Sequence, residues 1–480
     1  MTGVLLLKNK IGGYPLLNKK NILTLASGLL LATLLSGALP QQASAETLRQ
    51  ALETAYYNNP SLRAERARQR ATDEGVAQAL SGWRPNVVIS SDAGRTRTSP
   101  NPSIGGKNND PYGTSLSVVQ PLFRGFRTVS GTKQAEADVK AGRQTLLTVE
   151  QTTLFDAVTA YMDVLRDQSV VRLQAKNVQV LTQQLKAEKA RFRVGEVTRT
   201  DVAQSEARRA GSISTLAQAK ANLASSRAVY GRVIGKRATS LKYPRSIRKT
   251  LPRTLDRALD IGKSKNPQLL AASFSEVSAR RAVEVVKGEL YPDLSLEATY
   301  SYRRNPSTIT RRTETASLIG RLNIPLYQSG RVYSRVRQAK QSASQQRLLV
   351  LDAERSVVAS IISSWEQLQA LRAQIVSDRA QVKANELALQ GVRQEALVGS
   401  RTTLDVLDAE QELLNSNVTL VTSRRNEVVA SYQLLVSIGQ LTARDLKLRV
   451  KNYDPQNNYN RVRNKLFGTN IDESPYKRKQ

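Results

Sequence analysis

The sequence predicts a mainly helical protein with a small β part, built as two tandem copies of one structural unit. Three observations carry that expectation. Only 5 % of the 480 residues are aromatic against an ordinary 40 % hydrophobic fraction, which is thin for one compact core. Leu, Ala, Val, Gln, Ser and Arg dominate long stretches with little Pro or Gly, the composition of long helices. The chain also repeats itself. Thr47-Leu48-Arg49-Gln50-Ala51-Leu52 returns 207 residues later as Thr254-Leu255-Asp256-Arg257-Ala258-Leu259, and Asn59-Pro60 returns as Asn266-Pro267. After one short loop difference the offset becomes 204: Pro121-Leu122-Phe123 matches Pro325-Leu326-Tyr327, and Asp201-Val202 matches Asp405-Val406. The halves run over about 46–250 and 251–443, leaving a tail at 444–480.

Each half opens with a helix of about 35 residues. It starts at a Thr suited to N-capping (Thr47, Thr254), is interrupted by Asn-Pro and is stopped by Pro85 or Pro292. Two strand-like segments follow, about 86–95 and 112–120 in the first half and 293–302 and 314–324 in the second. The alternation is clearest where Leu294, Leu296, Ala298 and Tyr300 interleave with Ser295, Glu297, Thr299 and Ser301. A period of two over about ten residues suits a membrane barrel strand and an ordinary half-buried hairpin equally. Trp83, Tyr112, Tyr300 and Tyr302 near the strand ends fit interfacial anchors or ordinary packing.

A very long helix comes next, about 128–192 and 332–396, close to 100 Å at about 1.5 Å per residue. Apolar residues recur at sevens, as in Val178, Leu185 and Phe192, or Leu368, Ile375, Val382 and Leu389, with Leu181 and Leu371 between. This narrow seam predicts side-by-side coiled-coil packing. Gly195 and Gly399 end these helices, and a second helix returns to Gly235 or Gly439, giving antiparallel hairpins.

At the N-terminus Lys8, Lys10, Lys19 and Lys20 precede an apolar run, Pro40 and Ala43-Ser44-Ala45. This is the pattern of a cleaved secretory leader over 1–45. Beyond Glu46 no apolar run reaches the roughly 20 residues of a membrane helix, so any membrane crossing falls to strands. The tail is polar and basic and is expected to be disordered.

The chain has no His and no Cys, which excludes imidazole bases, thiol nucleophiles, zinc fingers and disulfides. No nucleophile–base pair or Gly-rich cofactor loop stands in an informative context, so neither an enzyme nor a resident cofactor or metal is expected. The 72 Lys and Arg against 40 Asp and Glu give a net charge of +32. Such an excess suits phosphate backbones, but the basic residues are spread along all helices and the leader directs the chain out of the cytoplasm. No nucleic-acid partner is expected.

The duplicated halves, two strands per half between long helices, and the Pro-Leu-aromatic steps at Pro121 and Pro325 resemble the TolC family of outer-membrane exit ducts. The most specific stretch is Val398-Gly399-Ser400-Arg401-Thr402-Thr403-Leu404-Asp405-Val406-Leu407-Asp408-Ala409, with Val194-Gly195-Glu196-Val197-Thr198-Arg199-Thr200-Asp201-Val202 as its counterpart. The resemblance implies a homotrimer in the outer membrane, four strands per protomer closing a twelve-stranded barrel that a helical barrel continues into the periplasm. It implies a passive duct for a tripartite efflux or type I secretion system, working with a periplasmic adaptor and an inner-membrane pump or ABC exporter. Asp405 and Asp408, at i and i+3 on one helix face, would form a gate ring of carboxylates attracting cations; the spacing alone equally suits a solvated pair near a helix start. Arg401 would bond across to Thr200 and Asp201 as a latch, and the Gly195 and Gly399 turns would dock the adaptor. Family members often carry Tyr where this chain has Ala396, so one latch contact is missing. The alternatives are a periplasmic coiled-coil scaffold and a basic nucleic-acid-binding coiled coil.

Overall fold

A computed structural model of the chain describes residues 45–99, 105–248 and 250–471. The expected leader, 1–45, lies outside the described residues but for Ala45 itself. The first repeat runs α1 (Leu48–Asn58), α2 (Pro60–Leu80), β1 (Asn86–Ala93), β2 (Thr96–Thr98), β3 (Lys107–Asn109), β4 (Tyr112–Arg124), α3 (Arg127–Arg193) and α4 (Arg199–Ile234). The second runs α5 (Leu255–Lys265), α6 (Pro267–Lys287), β5 (Asp293–Arg304), β6 (Arg312–Asn323), α7 (Arg331–Leu397) and α8 (Thr403–Ser437). A short helix, α9 (Pro455–Val462), follows. Both α3 and α7 hold 67 residues, about 100 Å each.

The Asn-Pro breaks are structural joints. Asn59 accepts from the Ser61 and Leu62 N–H groups, capping α2, while its side-chain NH2 donates to the Val233 carbonyl at 3.0 Å. Asn266 repeats this with Gln268, Leu269 and the Ser437 carbonyl at 2.8 Å. Each Asn therefore starts one helix and pins it to the end of the returning hairpin helix. Pro at the first helical position costs nothing there, because that N–H has no intrahelical partner. Gly235 and Gly439 terminate the returning region with φ of 88° and 77°, and a Cβ on Gly439 would sit 2.5 Å from the Lys265 carbonyl oxygen.

The main core lies midway along the long helices. Leu154, Val158, Tyr161 and Met162 of α3 meet Leu52 and Tyr56 of α1, Tyr230 and Ile234 of α4, Ile361 and Leu368 of α7, and Leu434 and Leu435 of α8. The buried Tyr161 hydroxyl donates to the Glu46 carbonyl at 2.7 Å, within reach also of the Lys242 carbonyl, tying the start of the first repeat to its end. Toward the tips the apolar contact between the helices of each hairpin narrows to the seam, with polar pairs such as Lys189–Glu206 and Arg393–Glu410 beside it. Leu181, Leu185, Leu368, Leu371, Ile375, Val382 and Leu389 are buried, whereas Phe192, at the end of the first seam, is 45 % exposed.

The four long strands form one antiparallel sheet in the order β1-β4-β5-β6. Its central pair joins the second strand of the first repeat to the first strand of the second. Pro121 lies within β4, at a register shift between Pro121 and Phe123, rather than beyond the strand as the expected end at residue 120 implied. A residue without an N–H is tolerated where pairing is locally interrupted. The small β2–β3 hairpin extends the first loop and has no counterpart among the expected elements.

The tail departs from the disorder expected of 444–480. Leu446, Leu448, Val450 and Tyr453 pack against the main core, and α9 lies on α2. The Tyr453 N–H donates to the Tyr56 hydroxyl at 2.9 Å, and Asn458 donates to Asp73 at 2.8 Å. Polar composition concealed these alternately spaced apolar residues.

Replacing Asn59 or Asn266 by Ala removes a cap and strands a buried carbonyl. Each change is expected to cost about 1–3 kcal/mol, read as a lower thermal midpoint of the folded protein, with the double variant more severely affected.

Candidate functional site

Two regions concentrate unusual chemistry: the sheet and the far ends of the helical hairpins. In the sheet, register sorts most side chains by polarity, with Val88, Val119 and Ile319 on the polar side and Gln120, Arg304, Arg312 and Glu314 on the apolar side as exceptions. Val87, Ile89, Leu116, Val118, Leu294, Leu296, Ala298, Tyr300, Tyr302, Ala316, Leu318 and Leu322 share one face by their pairing. The opposite face carries Ser90, Asp92, Ser115, Ser117, Ser295, Glu297, Thr299, Ser301, Arg303, Thr315, Ser317 and Arg321. The Arg321 guanidinium grips Glu297 through two bonds of 2.8 and 2.9 Å on that polar side. Within one chain neither face is covered by a core. Ile89 and Leu318 are each 70 % exposed.

Aromatic residues mark both limits of the apolar face. Tyr112, Tyr300 and Tyr302 stand toward the loop end. Trp83, Phe126 and Tyr291 stand at the helix end and are substantially exposed. Phe126 packs edge-on against Phe123 and Tyr291, with ring centroids 5.1 and 6.4 Å away. The chain leaves the sheet through two consecutive left-handed residues, Gly125-Phe126 in one repeat and Ser329-Gly330 in the other. Pro85 and Pro292 stand just before β1 and β5, and Pro325 just after β6.

At the hairpin tips Gly195 and Gly399 have φ of 82° and 79°, with open space around each Cα. Thr198 and Thr402 then cap α4 and α8 in matching capping boxes. Asp201 accepts from the Thr198 N–H at 2.9 Å and Asp405 from the Thr402 N–H at 2.9 Å. Both carboxylates are thus engaged at their own helix starts. The bonds from Thr402 hold the Asp405 carboxyl below the usual carboxylate range. The macrodipole favours the same ionised form.

Asp408 behaves differently. It accepts from Arg208 of α4 at 2.5 Å, an ion pair that joins the two hairpins near their tips. Its repeat counterpart is Gln204, so this link exists once per chain. Arg401 does not engage Thr200 or Asp201 within the chain. Its guanidinium donates to Glu395, on the end of its own hairpin's α7, at 2.8 Å, and that bond with the nearby Asp405 charge raises its pKa. Within the chain Asp201 is held by its own cap and Arg401 by Glu395. Arg401 and Asp201 nonetheless face one cleft of about 770 Å³ between the hairpins, lined also by Glu188, Arg393, Ala396 and Glu410. Within it Arg393 donates to the buried Glu410 at 2.7 Å.

Arg208 and Glu395 were not singled out by sequence reasoning. The only signal for Glu395 is a charge reversal between repeats, since its counterpart is Arg191, which approaches Glu196 at 3.9 Å. Among the described residues no group of three or more carboxylates is close enough to hold a metal ion, and no helix is long and apolar enough to cross a membrane.

A sheet apolar on one face and polar on the other, carried by paired 67-residue helices, defines a class of channel-forming proteins rather than catalysts. Comparison with known proteins agrees. The family model described as outer membrane efflux protein matches residues 47–235 and 259–440. The chain is 38 % identical to the outer membrane efflux protein BepC of Brucella suis biovar 1 (strain 1330), over 93 % of this chain and 96 % of that protein. It is 27 % identical to the outer membrane protein TolC of Escherichia coli (strain K12), over 84 % of each. Its fold matches the crystal structure of the Campylobacter jejuni CmeC outer membrane channel with a TM-score of 0.75 at 14 % identity, over 92 % of this chain and 96 % of that one. The chain belongs to the TolC family of outer membrane efflux proteins. It is an outer-membrane efflux and secretion channel, not an enzyme.

The ionised Asp405 is favoured in the folded tip, so its contribution is present above the unfolded value of about 3.9 and is lost as pH falls through the lowered native value. Protection of the amides of residues 402–406 from hydrogen exchange is expected to fall on acidification through that window relative to mid-helix amides. Asp405→Ala is expected to abolish both the protection and its pH dependence.

Proposed function

We propose that three copies of this chain close a single twelve-stranded barrel in the outer membrane and continue it as a helical tube into the periplasm. The observation that carries this reading is the sheet: four strands with unpaired edges at β1 and β6 and an apolar face left bare. Lipid tolerates neither an open edge nor an unclosed sheet. Closure puts the apolar face outward, its aromatic rows at the two interfaces, and the Ser, Thr, Glu and Arg face toward a water-filled lumen. A periplasmic scaffold would have no use for that face.

Internal duplication also fixes how copies join. Within the chain, β4 of the first repeat pairs with β5 of the second. By the same rule β6 pairs with β1 of the next copy. Shifting the Val118–Ala298 pair by the repeat offsets of 204 and 207 residues sets Leu322 opposite Ser91 of the neighbour. The chain has no cysteine, so the double variant Ser91→Cys/Leu322→Cys is expected to give oxidant-dependent, reductant-sensitive cross-links between protomers. The shifted pair Ser91→Cys/Leu318→Cys is expected to give none.

The hairpin tips then converge at the periplasmic mouth. Asp405 and Asp408 supply six carboxylates in the trimer, a ring that favours cations and is blocked by multivalent ones. Arg208 offsets the Asp408 charge, and the Arg401–Glu395 pair stiffens each second-repeat tip. The Gly195 and Gly399 turns are the docking points for a periplasmic adaptor, and an inner-membrane pump or ABC exporter selects and drives the cargo. The leader is removed near Ala45. In planar bilayers Arg401→Ala is expected to raise single-channel conductance. Asp405→Asn/Asp408→Asn is expected to abolish block by trivalent cations, and Arg208→Ala to strengthen it. Unchanged conductance and block in correctly assembled trimers would remove these residues from the gate.

A further inference from the structure

The tail climbs the first repeat in one direction. Arg49, near the start of α1, bonds the Lys447 carbonyl; Asp73, late in α2, bonds Asn458 at 2.8 Å; and Arg84, next to Pro85 at the foot of the sheet, donates to the Lys465 carbonyl at 2.9 Å. Arg463 on the same path donates to Glu136 of α3 at 3.1 Å. The strap therefore delivers the next residues to the level of Trp83, where the apolar face of the sheet begins. Those residues are Leu466, Phe467 and Ile471, which are 70 %, 87 % and 76 % exposed. They follow a mainly polar stretch, 452–465, whose one aliphatic side chain besides Pro455 is the buried Val462, and they themselves stand exposed.

We propose that this segment is a membrane-surface anchor. Leu466, Phe467 and Ile471 enter the periplasmic phospholipid leaflet beside the barrel foot, as a collar present once per protomer. The inference rests on the outer-membrane reading above. Two observations select lipid as the occupant. The segment is continuous with the sheet's apolar face through the Arg84–Lys465 bond, one residue from Trp83. It is also bracketed by basic residues, Arg461, Arg463 and Lys465 before it and Lys477, Arg478 and Lys479 after it, against Asp472 and Glu473. Cations flanking a short apolar cluster match a layer of phosphates above acyl chains. Among the described residues the strap has no equivalent on α6, so the two repeats differ at the foot of the sheet.

The absence of native cysteine allows a direct test. Phe467→Cys and, separately, Ile471→Cys carry a nitroxide in full-length trimers embedded in phosphatidylethanolamine–phosphatidylglycerol nanodiscs. Collision with oxygen, which concentrates in lipid, is compared with collision with a water-soluble nickel chelate. Leu318→Cys on β6 serves as the lipid-facing reference and Asn452→Cys, lower on the strap, as the aqueous one. The anchor requires residues 467 and 471 to favour oxygen as residue 318 does. Preference for the nickel chelate at 467 and 471, with oxygen preferred at 318, would overturn the anchor and leave the barrel standing. Protection from both reagents would overturn it in favour of a neighbouring protomer. Nickel preference at 318 would remove the barrel and the anchor together.

Discussion

Every part of this molecule answers to one constraint: a strand edge must be paired before it can enter lipid. The four-stranded sheet satisfies its interior ladders within the chain and leaves the outer edges of β1 and β6 unpaired. No amount of side-chain packing repairs that, because the missing bonds belong to the backbone. The exposed apolar face states the same requirement in side-chain terms. Ile89 and Leu318 are bare, and nothing in the described chain covers them. Under the trimer proposed above, association would supply both the missing strand partners and the surroundings of that face.

The helices meet a related demand differently. Their backbone bonds are satisfied internally, so they need neighbours only for side chains, and a narrow seam suffices. Stability is gathered midway along their length, where the short helices α1 and α5 wrap the long ones and Asn59 and Asn266 pin each joint. From that belt the hairpins project to the tips with little core of their own. Contacts there are exchangeable polar ones, such as Arg208–Asp408 and Arg401–Glu395. The gate proposed above would benefit from this arrangement, since it would change shape without loosening the belt.

Duplication gives the chain its regularity, and the hairpin tips are where the two repeats depart from one another. Asp201 and Asp405 do the same capping work in both repeats. Asp408, Arg208 and Arg401 have Gln204, Glu412 and Val197 as counterparts, so the Arg208–Asp408 and Arg401–Glu395 links have no repeat-related equivalents. The tail lies along the first repeat and not along the second. The excess positive charge is distributed over this scaffold and is partly matched by ion pairs such as Arg425–Asp163 and Arg166–Asp167.

Much of this was legible in the residues. Helix starts at Thr47 and Thr254, the joints at Asn-Pro, the two strands per half and the glycine-ended hairpins are local events, and local chemistry determines them: a hydroxyl accepts an N–H, a proline lacks one, a glycine turns left-handed. The repeat offsets carried the architecture further than any single motif. What the sequence could not determine is which groups meet across distant elements. It could not say that Asp408 reaches Arg208 of α4, because that pairing depends on how two hairpins lie side by side. Nor could polar composition reveal that Leu446, Leu448, Val450 and Tyr453 find the core and carry the tail along α2. Spacing along one chain decides backbone conformation; only the packed arrangement decides which charge finds which partner.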